Sequence, residues 1–398
     1  MRKYLINGQV VDESNVIFDE HLVSAYQQKS RPLCLCRDPG LQMYITKTGE
    51  HHIIKRMPNS GQEHHPDCDS FEIPSELSGR GAVENKAIDE NSQTGLTSLK
   101  LDFSLSKILT NKNIALQNTE NEKKSIKANP TKLTIRSLLH YLYEDAGLNR
   151  WFPLMKNKRN WFVIRKHLLE AIKNKITKKN NLSETLLIPE SFSVEKKDTI
   201  FQNRKKYFSG LKKKGHKQPM GIIIGEVKNI ESARFGYKLL IKHMPESPIY
   251  MDEAIYKRIN KNFATELAFF KEYETVHLLS ICTFYLSASG NPQIDSISFM
   301  LTDINWIPFE TIDEFELIEH LITGKRRFIK GLRYNLSSTD IIASVLITDI
   351  QDNPTAVYIV PCKADESYYD KITSVTSESN FSNYIWNLND NVPLRLPK

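Results

Sequence analysis

Three of the five cysteines fall among the first 70 residues, beside a histidine pair: Cys34-Leu-Cys36, then His64-His65-Pro-Asp-Cys68. No other feature limits the fold as much. Side chains on an extended segment alternate, so Cys34 and Cys36 share a face and can reach one point. Zinc takes four nitrogen or sulfur donors in a tetrahedron, and two residues between His65 and Cys68 suit a chain wrapping a metal. The expected ligands are Cys34, Cys36, His65 and Cys68, with His64 as the alternative fourth. Four protein ligands leave no open position, so the zinc is expected to be structural, its binding energy holding together a module too small for a large core. The plainer reading is three free thiols near incidental histidines. The odd cysteine count argues against a disulfide framework. Cys282, in LLSICTFYL, and Cys362, after VYIVP, are expected to be small buried hydrophobes, and His51 and His52 surface residues.

The chain of 398 residues is 40% hydrophobic and 25% charged, enough for two or three domains with real cores. That balance excludes wholesale disorder, collagen-like repetition and a disulfide-dense miniprotein. No apolar run approaches the roughly 20 residues that span a bilayer, and MRKYLINGQVVDESN contains no signal-peptide core. A cytoplasmic protein without a membrane partner is expected.

The net charge of +7 is unevenly placed: residues 123–217 hold 24 Lys and Arg against 7 Asp and Glu, which leaves the remaining chain acidic by 10. A basic block in an acidic protein attracts a polyanion through steering and counterion release. The alternative is a solvated lysine-rich surface.

Periodicity predicts an α+β, multidomain chain. Residues 1–78 read as a zinc-stapled β-hairpin module, with strands LQMYITK and HHIIKRM. Residues 79–130 read as a polar linker, partly disordered. Residues 131–190 read as a basic helical domain whose helices, IRSLLHYLYEDAG and WFVIRKHLLEAIKNKI, resemble a helix-turn-helix unit. Residues 191–217 read as a basic connector. Four strands and a helix make 218–310 a β-rich α+β domain. Residues 311–398, in the order helix–strand–strand–strand–helix–strand, are similar to the core of the restriction-endonuclease-like fold.

Within the helical block the expected phosphate contacts are Arg159, Arg165, Lys166, Lys173 and Lys175. Lys205-Lys206 and Lys212, Lys213 and Lys214 read as a basic arm or a solvated loop. Trp151, Trp161 and Phe162 are expected to pack between the two helices rather than stack on bases.

Glu226 and Lys228 have the acid-x-lysine spacing of metal-dependent endonucleases, but no preceding strand offers a partner acid. In the C-terminal module the second strand opens Ala343-Ser344-Val345 and the third reads Ala356-Val357-Tyr358-Ile359-Val360. Neither carries the acid or lysine of an active nuclease, so the site there would be degenerate. No phosphate-binding loop, Gly-x-Ser-x-Gly elbow or His-Glu-x-x-His motif occurs.

RPLCLCRDPGLQMYI, HHIIKRMPNSGQEHHPDCDSFE, LTIRSLLHYLYEDAGLNRW, GEVKNIESARFGYKLLIKHMP and RFIKGLRYNL resemble an uncharacterised bacterial family, domain of unknown function 1173 (DUF1173). The resemblance runs from about Leu33 to the C-terminal strand, with Cys34, Cys36, His65 and Cys68 on the family's cysteine–histidine segment. It implies a setting on plasmids and integrative conjugative elements of proteobacteria. The expected function is non-enzymatic binding of nucleic acid, DNA favoured. The alternatives are a metal-dependent nuclease using Glu226 and Lys228, and a protein-interaction accessory factor of conjugation or host-defence modulation.

Overall fold

Strands β1 (Lys3–Ile6) and β2 (Gln9–Asp12) turn at Asn7 and Gly8, both with positive φ, as a tight hairpin turn requires. Helix α1 (Phe18–Gln27) follows, then β3 (Leu33–Cys34), β4 (Leu41–Thr48) and β5 (His51–Arg56). The five strands form one antiparallel sheet in the order β2-β1-β3-β4-β5. Phe18, Leu22 and Ala25 of α1 pack with Tyr4, Ile6, Val11 and Met43, and Cys34 and Cys68 belong to the same small core. The expected hairpin is therefore part of a larger sheet. This computed structural model describes residues 2–48, 51–108, 130–178, 180–350, 353–362, 364–390, 394, 396 and 397.

The linker expected at 79–130 is instead built into the protein as far as residue 108. Short strands β6 (Ile88–Glu90), β7 (Thr97–Leu99) and β8 (Ser106–Ile108) cross it, and Val83, Ala87, Ile88 and Leu99 are buried. Strands of three residues are too short to show a period, and the anchors are isolated among polar residues. Residues 109–129 lie outside the described residues.

Helix α2 (Ile135–Asp145) is capped by Thr134, whose hydroxyl accepts from the Ser137 N–H. It ends as expected at Gly147, with φ +66° and the Leu148 N–H reaching back to the Tyr143 carbonyl. Next come β9 (Arg150–Trp151) and α3 (Trp161–Ile172), capped by Asn160, then β10 (Lys175–Thr177), β11 (Asn180–Asn181), α4 (Leu182–Thr185) and β12 (Leu186–Leu187). The connector expected at 191–217 contains helix α5 (Lys197–Gly210), followed by β13 (Lys217–Pro219), which pairs with β8. Ile200, Arg204 and Leu211 are its inward stripe, too narrow to stand out from eight neighbouring lysines.

The apolar middle runs close into a small barrel. Its strands are β14 (Gly221–Ser232), β15 (Tyr237–Ile241) and β16 (Ile249–Met251), then, after α6 (Glu253–Asn262) and α7 (Ala264–Glu272), β17 (His277–Leu286) and β18 (Pro292–Thr302). Pairing runs β14-β15-β16-β18-β17 and returns from β17 to β14. Register shifts at Val227/Asn229 and Thr283/Phe284 bend the two long strands, as closure demands. Ile223, Val227, Leu239, Cys282 and Phe284 face one core cluster. Ile222, Ile224, Leu279 and Ile281 face another, which also holds α2, α3 and Val83 to Leu99. Burial on both faces explains why these strands read as continuous apolar runs.

Eight of the eleven residues of α2 are buried, so it is a central strut and not the exposed helix of a helix-turn-helix unit. Its polar groups find partners inside: Tyr143 donates to the Trp306 carbonyl at 2.7 Å, and His140 accepts from the Tyr334 N–H at 3.0 Å. Sequence periodicity assigns such residues to solvent because it cannot see those partners. Trp151 and Trp161 are buried as expected, whereas Phe162 is 65% exposed.

Strand β19 (Pro308–Phe309) joins β18, and helix α8 (Ile312–Thr323) opens the C-terminal part. Then follow β20 (Phe328–Lys330), β21 (Val345–Ile347), β22 (Thr355–Val360), α9 (Glu366–Glu378) and β23 (Ser382–Asn387), in the expected order. The sheet order is β23-β22-β21-β20-β9, with β22 and β23 parallel. Strand β9 thus crosses the boundary expected at 310/311. Phe71, Ile73 and Leu77 of the N-terminal part pack with Ile329, Leu346, Ala356 and Tyr358 of the same sheet. Cys362 is exposed, against expectation, because it lies just beyond the end of β22.

Candidate metal centre

Cys34 ends the short strand β3, and Cys36 follows in the turn that leads to β4. The other half comes from the segment after β5, where Cys68 N–H bonds to the His65 carbonyl at 2.7 Å and closes a tight turn. Cys34, Cys36, His64 and Cys68 each present one ligand atom, all within 4.8 Å of one another. Cys34 and Cys68 sulfurs are 3.7 Å apart, and His64 Nδ1 lies 3.3 Å from Cys36 and 3.7 Å from Cys68. These four groups could hold a metal ion.

The histidine is therefore the alternative one. His64 is fully buried with its ring toward the sulfurs, whereas His65 is exposed and accepts from the Asp67 N–H at 3.2 Å. Spacing from Cys68 counts residues but not direction, and the turn points His65 outward.

Main-chain donors support the sulfurs: His65 N–H reaches Cys36 at 3.5 Å and Ser70 N–H reaches Cys68 at 3.4 Å. The hydrogen bond from Cys34, with help from His64 and Ser70, pulls the Cys68 thiol well below its ordinary range. The same bond and burial push Cys34 up. A thiolate is the form that takes a metal.

The expected phosphate contacts divide. Arg159 turns inward and donates to the carbonyls of Leu148 at 2.8 Å and Arg150 at 2.5 Å. Lys175 is buried against Asp145 at 2.9 Å. Both side chains are engaged within the protein. Arg165 is half engaged, with the Ile188 carbonyl at 2.9 Å and Glu190 at 3.5 Å. Lys166 on α3 and Lys173 just after it are exposed, although Lys173 pairs with Glu170 at 2.7 Å. Lys212, Lys213 and Lys214 are exposed and bond no carboxylate among the described residues.

Glu226 and Lys228 are not brought together. Lys228 is exposed, while Glu226 is buried with Lys242 Nζ and His277 Nδ1 each 2.8 Å from its carboxylate and His243 Nε2 at 3.5 Å. Trp161 stacks on His243 and Trp306 on His277. The sequence reading missed this cluster because its members come from β14, β17 and the end of β15.

A mixed α+β protein with several sheets, a small barrel and a Cys3His cluster able to hold a metal ion is the class these features define. The chain belongs to the family described as protein of unknown function (DUF1173), whose model matches residues 4–389. No curated protein and no solved structure matches it. No described helix is long and apolar enough to cross a membrane.

Proposed function

We propose that this protein binds nucleic acid, DNA in preference, without turnover, through the lysines of α5 and the loop after it, and that Cys34, Cys36, His64 and Cys68 hold a structural zinc. The observation that carries the reading is the state of Lys205, Lys206, Lys212, Lys213, Lys214 and Lys217. All six are exposed, and none bonds a carboxylate among the described residues. Unpaired lysines condense on phosphates and release counterions. Phe162 and Phe201, exposed on α3 and α5, offer faces on which bases can stack. Glu190 lies between the two helices, 3.5 Å from both Arg165 and Asn203, which keeps their outer faces adjacent.

Zinc is favoured by the soft donor set and by spacing. A tetrahedral bond of about 2.3 Å separates sulfurs by about 3.8 Å, and Cys34 and Cys68 stand 3.7 Å apart. Four protein donors leave no position for substrate, so the metal's role is structural. In the same reading the C-terminal sheet is a restriction-endonuclease-like module without catalytic groups, since β21 and β22 carry no acid or lysine. A cytoplasmic protein of a plasmid or integrative conjugative element is the setting the family resemblance suggests.

A salt titration of binding to single-stranded DNA, double-stranded DNA and RNA tests the proposal. Binding should weaken steeply with salt, and the log–log slope should shrink by about one unit for each phosphate-contacting lysine removed. Replacing Lys212, Lys213 and Lys214 together by Gln should therefore flatten it by about three. Failure of all three nucleic acids to bind at low salt would defeat it.

A further inference from the structure

A cavity of about 450 Å³ lies between β5, the end of α2, α3 and β9. Its walls are densely charged, and the pairing of those charges is uneven. Every carboxylate on the wall already touches a cation: Asp69 has Arg2, Glu72 and Glu90 share Arg56 and Arg80, Glu144 shares Arg80, Asp145 has Lys175 and Glu170 has Lys173. Two lining cations remain. Among the described residues the Lys55 side chain has no hydrogen bond or ion pair, and the Arg150 side chain uses only one nitrogen, on the Cys68 carbonyl at 3.2 Å.

We propose that this cavity is a binding site for a phosphate-bearing ligand of mononucleotide size, with Lys55 and Arg150 as its anion contacts. A guanidinium with free donors takes phosphate in a forked, charge-assisted geometry, and an ammonium adds a point charge. Burial lowers the proton affinity of the Lys55 ammonium, more than the nearby carboxylates restore. A cation in a recess that bonds no carboxylate is stabilised by an entering anion. The volume lies within the range of small-molecule sites and exceeds what a lone phosphate fills. Tyr44 and Ile53 line the same recess and offer apolar contact to a base or sugar.

The phosphate could come from a free nucleotide or from the terminus of a nucleic-acid strand, and the measurement separates these. Calorimetric titration of the full chain would use inorganic phosphate, adenosine monophosphate, and a short single strand with and without a 5′ phosphate. Saturable binding of the monophosphate is expected, weakened about tenfold or more by Lys55→Gln, since one charge-assisted contact is lost. Lys371→Gln, an exposed lysine on α9, controls for general charge and should change nothing. Stronger binding of the 5′-phosphorylated strand than of the free monophosphate would assign the ligand to a strand end; the reverse would assign it to a free nucleotide. Arg150→Lys should also weaken binding. Should that variant misfold, Lys55→Gln still decides, because the Lys55 side chain makes no bond among the described residues. Absence of saturable binding up to roughly 10 mM, or equal binding by Lys55→Gln, overturns the assignment. The lysines of α5 do not line this cavity, so nucleic-acid binding and phosphate binding can fail independently.

Discussion

Arg150 Nη1 donates to the main-chain carbonyl of Cys68 at 3.2 Å, which joins a cluster cysteine directly to the strand that completes the C-terminal sheet. Neighbouring residues repeat the link. Asp69 holds Arg2, just before β1, and Asp67 lies 3.2 Å from Arg327. The turn 65–70 is thus a junction between the Cys–His module and the rest of the protein. A metal that fixes this turn would fix the junction as well.

Elemental analysis should find about one zinc per chain in purified protein, since a closed four-ligand site binds tightly. Cys36→Ser and His64→Ala should lose the metal, and His65→Ala should retain it. Metal retained by His64→Ala but lost by His65→Ala would reverse the ligand assignment.

Glu226 gives a pH dependence with a definite sign. Burial alone would raise its pKa, but His243, His277 and Lys242 outweigh burial and hold it well below the usual carboxylate range. A group depressed in the folded state stabilises above its unfolded pKa, about 4.3 for Glu, and that stabilisation is lost as pH falls. The melting temperature of the wild type should drop between pH 6 and pH 3, across that value of roughly 4.3, more steeply than that of Glu226→Gln. Parallel curves would show that the carboxylate contributes nothing through its charge.

Arg80 is 1% exposed and faces Glu72, Glu84, Glu90 and Glu144. Removal of one partner from a buried ionic network leaves uncompensated charge. Arg80→Leu should cost about 3–5 kcal/mol in urea unfolding, most of it at neutral pH where the acids are ionised. A loss below about 1 kcal/mol would mean the acids are solvated.

Gly79 packs backbone to backbone: a Cβ there would lie 2.1 Å from the Arg333 carbonyl oxygen. Its N–H donates to the Leu332 carbonyl at 2.8 Å, so the chain cannot move aside without losing that bond. Gly79→Ala should destabilise by about 1–3 kcal/mol in the same assay. Unchanged stability would mean that this contact opens freely.

Element types were readable wherever a run was long and apolar on a regular period. The β14, β17 and β18 strands, α3, α8, and the order α8 to β23 all announce themselves this way. Short or polar elements did not. Strands β6 to β8 have three residues each, and α5 has only a thin inward stripe beneath its lysines. Of the metal site, three ligands followed from composition and spacing, and the fourth was the neighbour of the residue preferred.

By itself, then, the chain's order of residues determined where the long apolar helices and strands form, that three cysteines lie beside a histidine pair near the N-terminus, and that positive charge gathers between residues 123 and 217. Local periodicity, turn chemistry and covalent spacing act over a few residues, and a linear text records them. Only the tertiary structure decided which charges remain free. Arg159 and Lys175 were drawn inward by carbonyls and by Asp145, Glu226 was surrounded from three strand positions, and His64 rather than His65 met the sulfurs. Those outcomes depend on the direction of each side chain and on partners up to 146 residues away, as Arg159 and the Asn305 carbonyl illustrate. Electrostatic pairing is set by distance in space, and the chain brings such groups together only when it closes its barrel and seats α2 beside it.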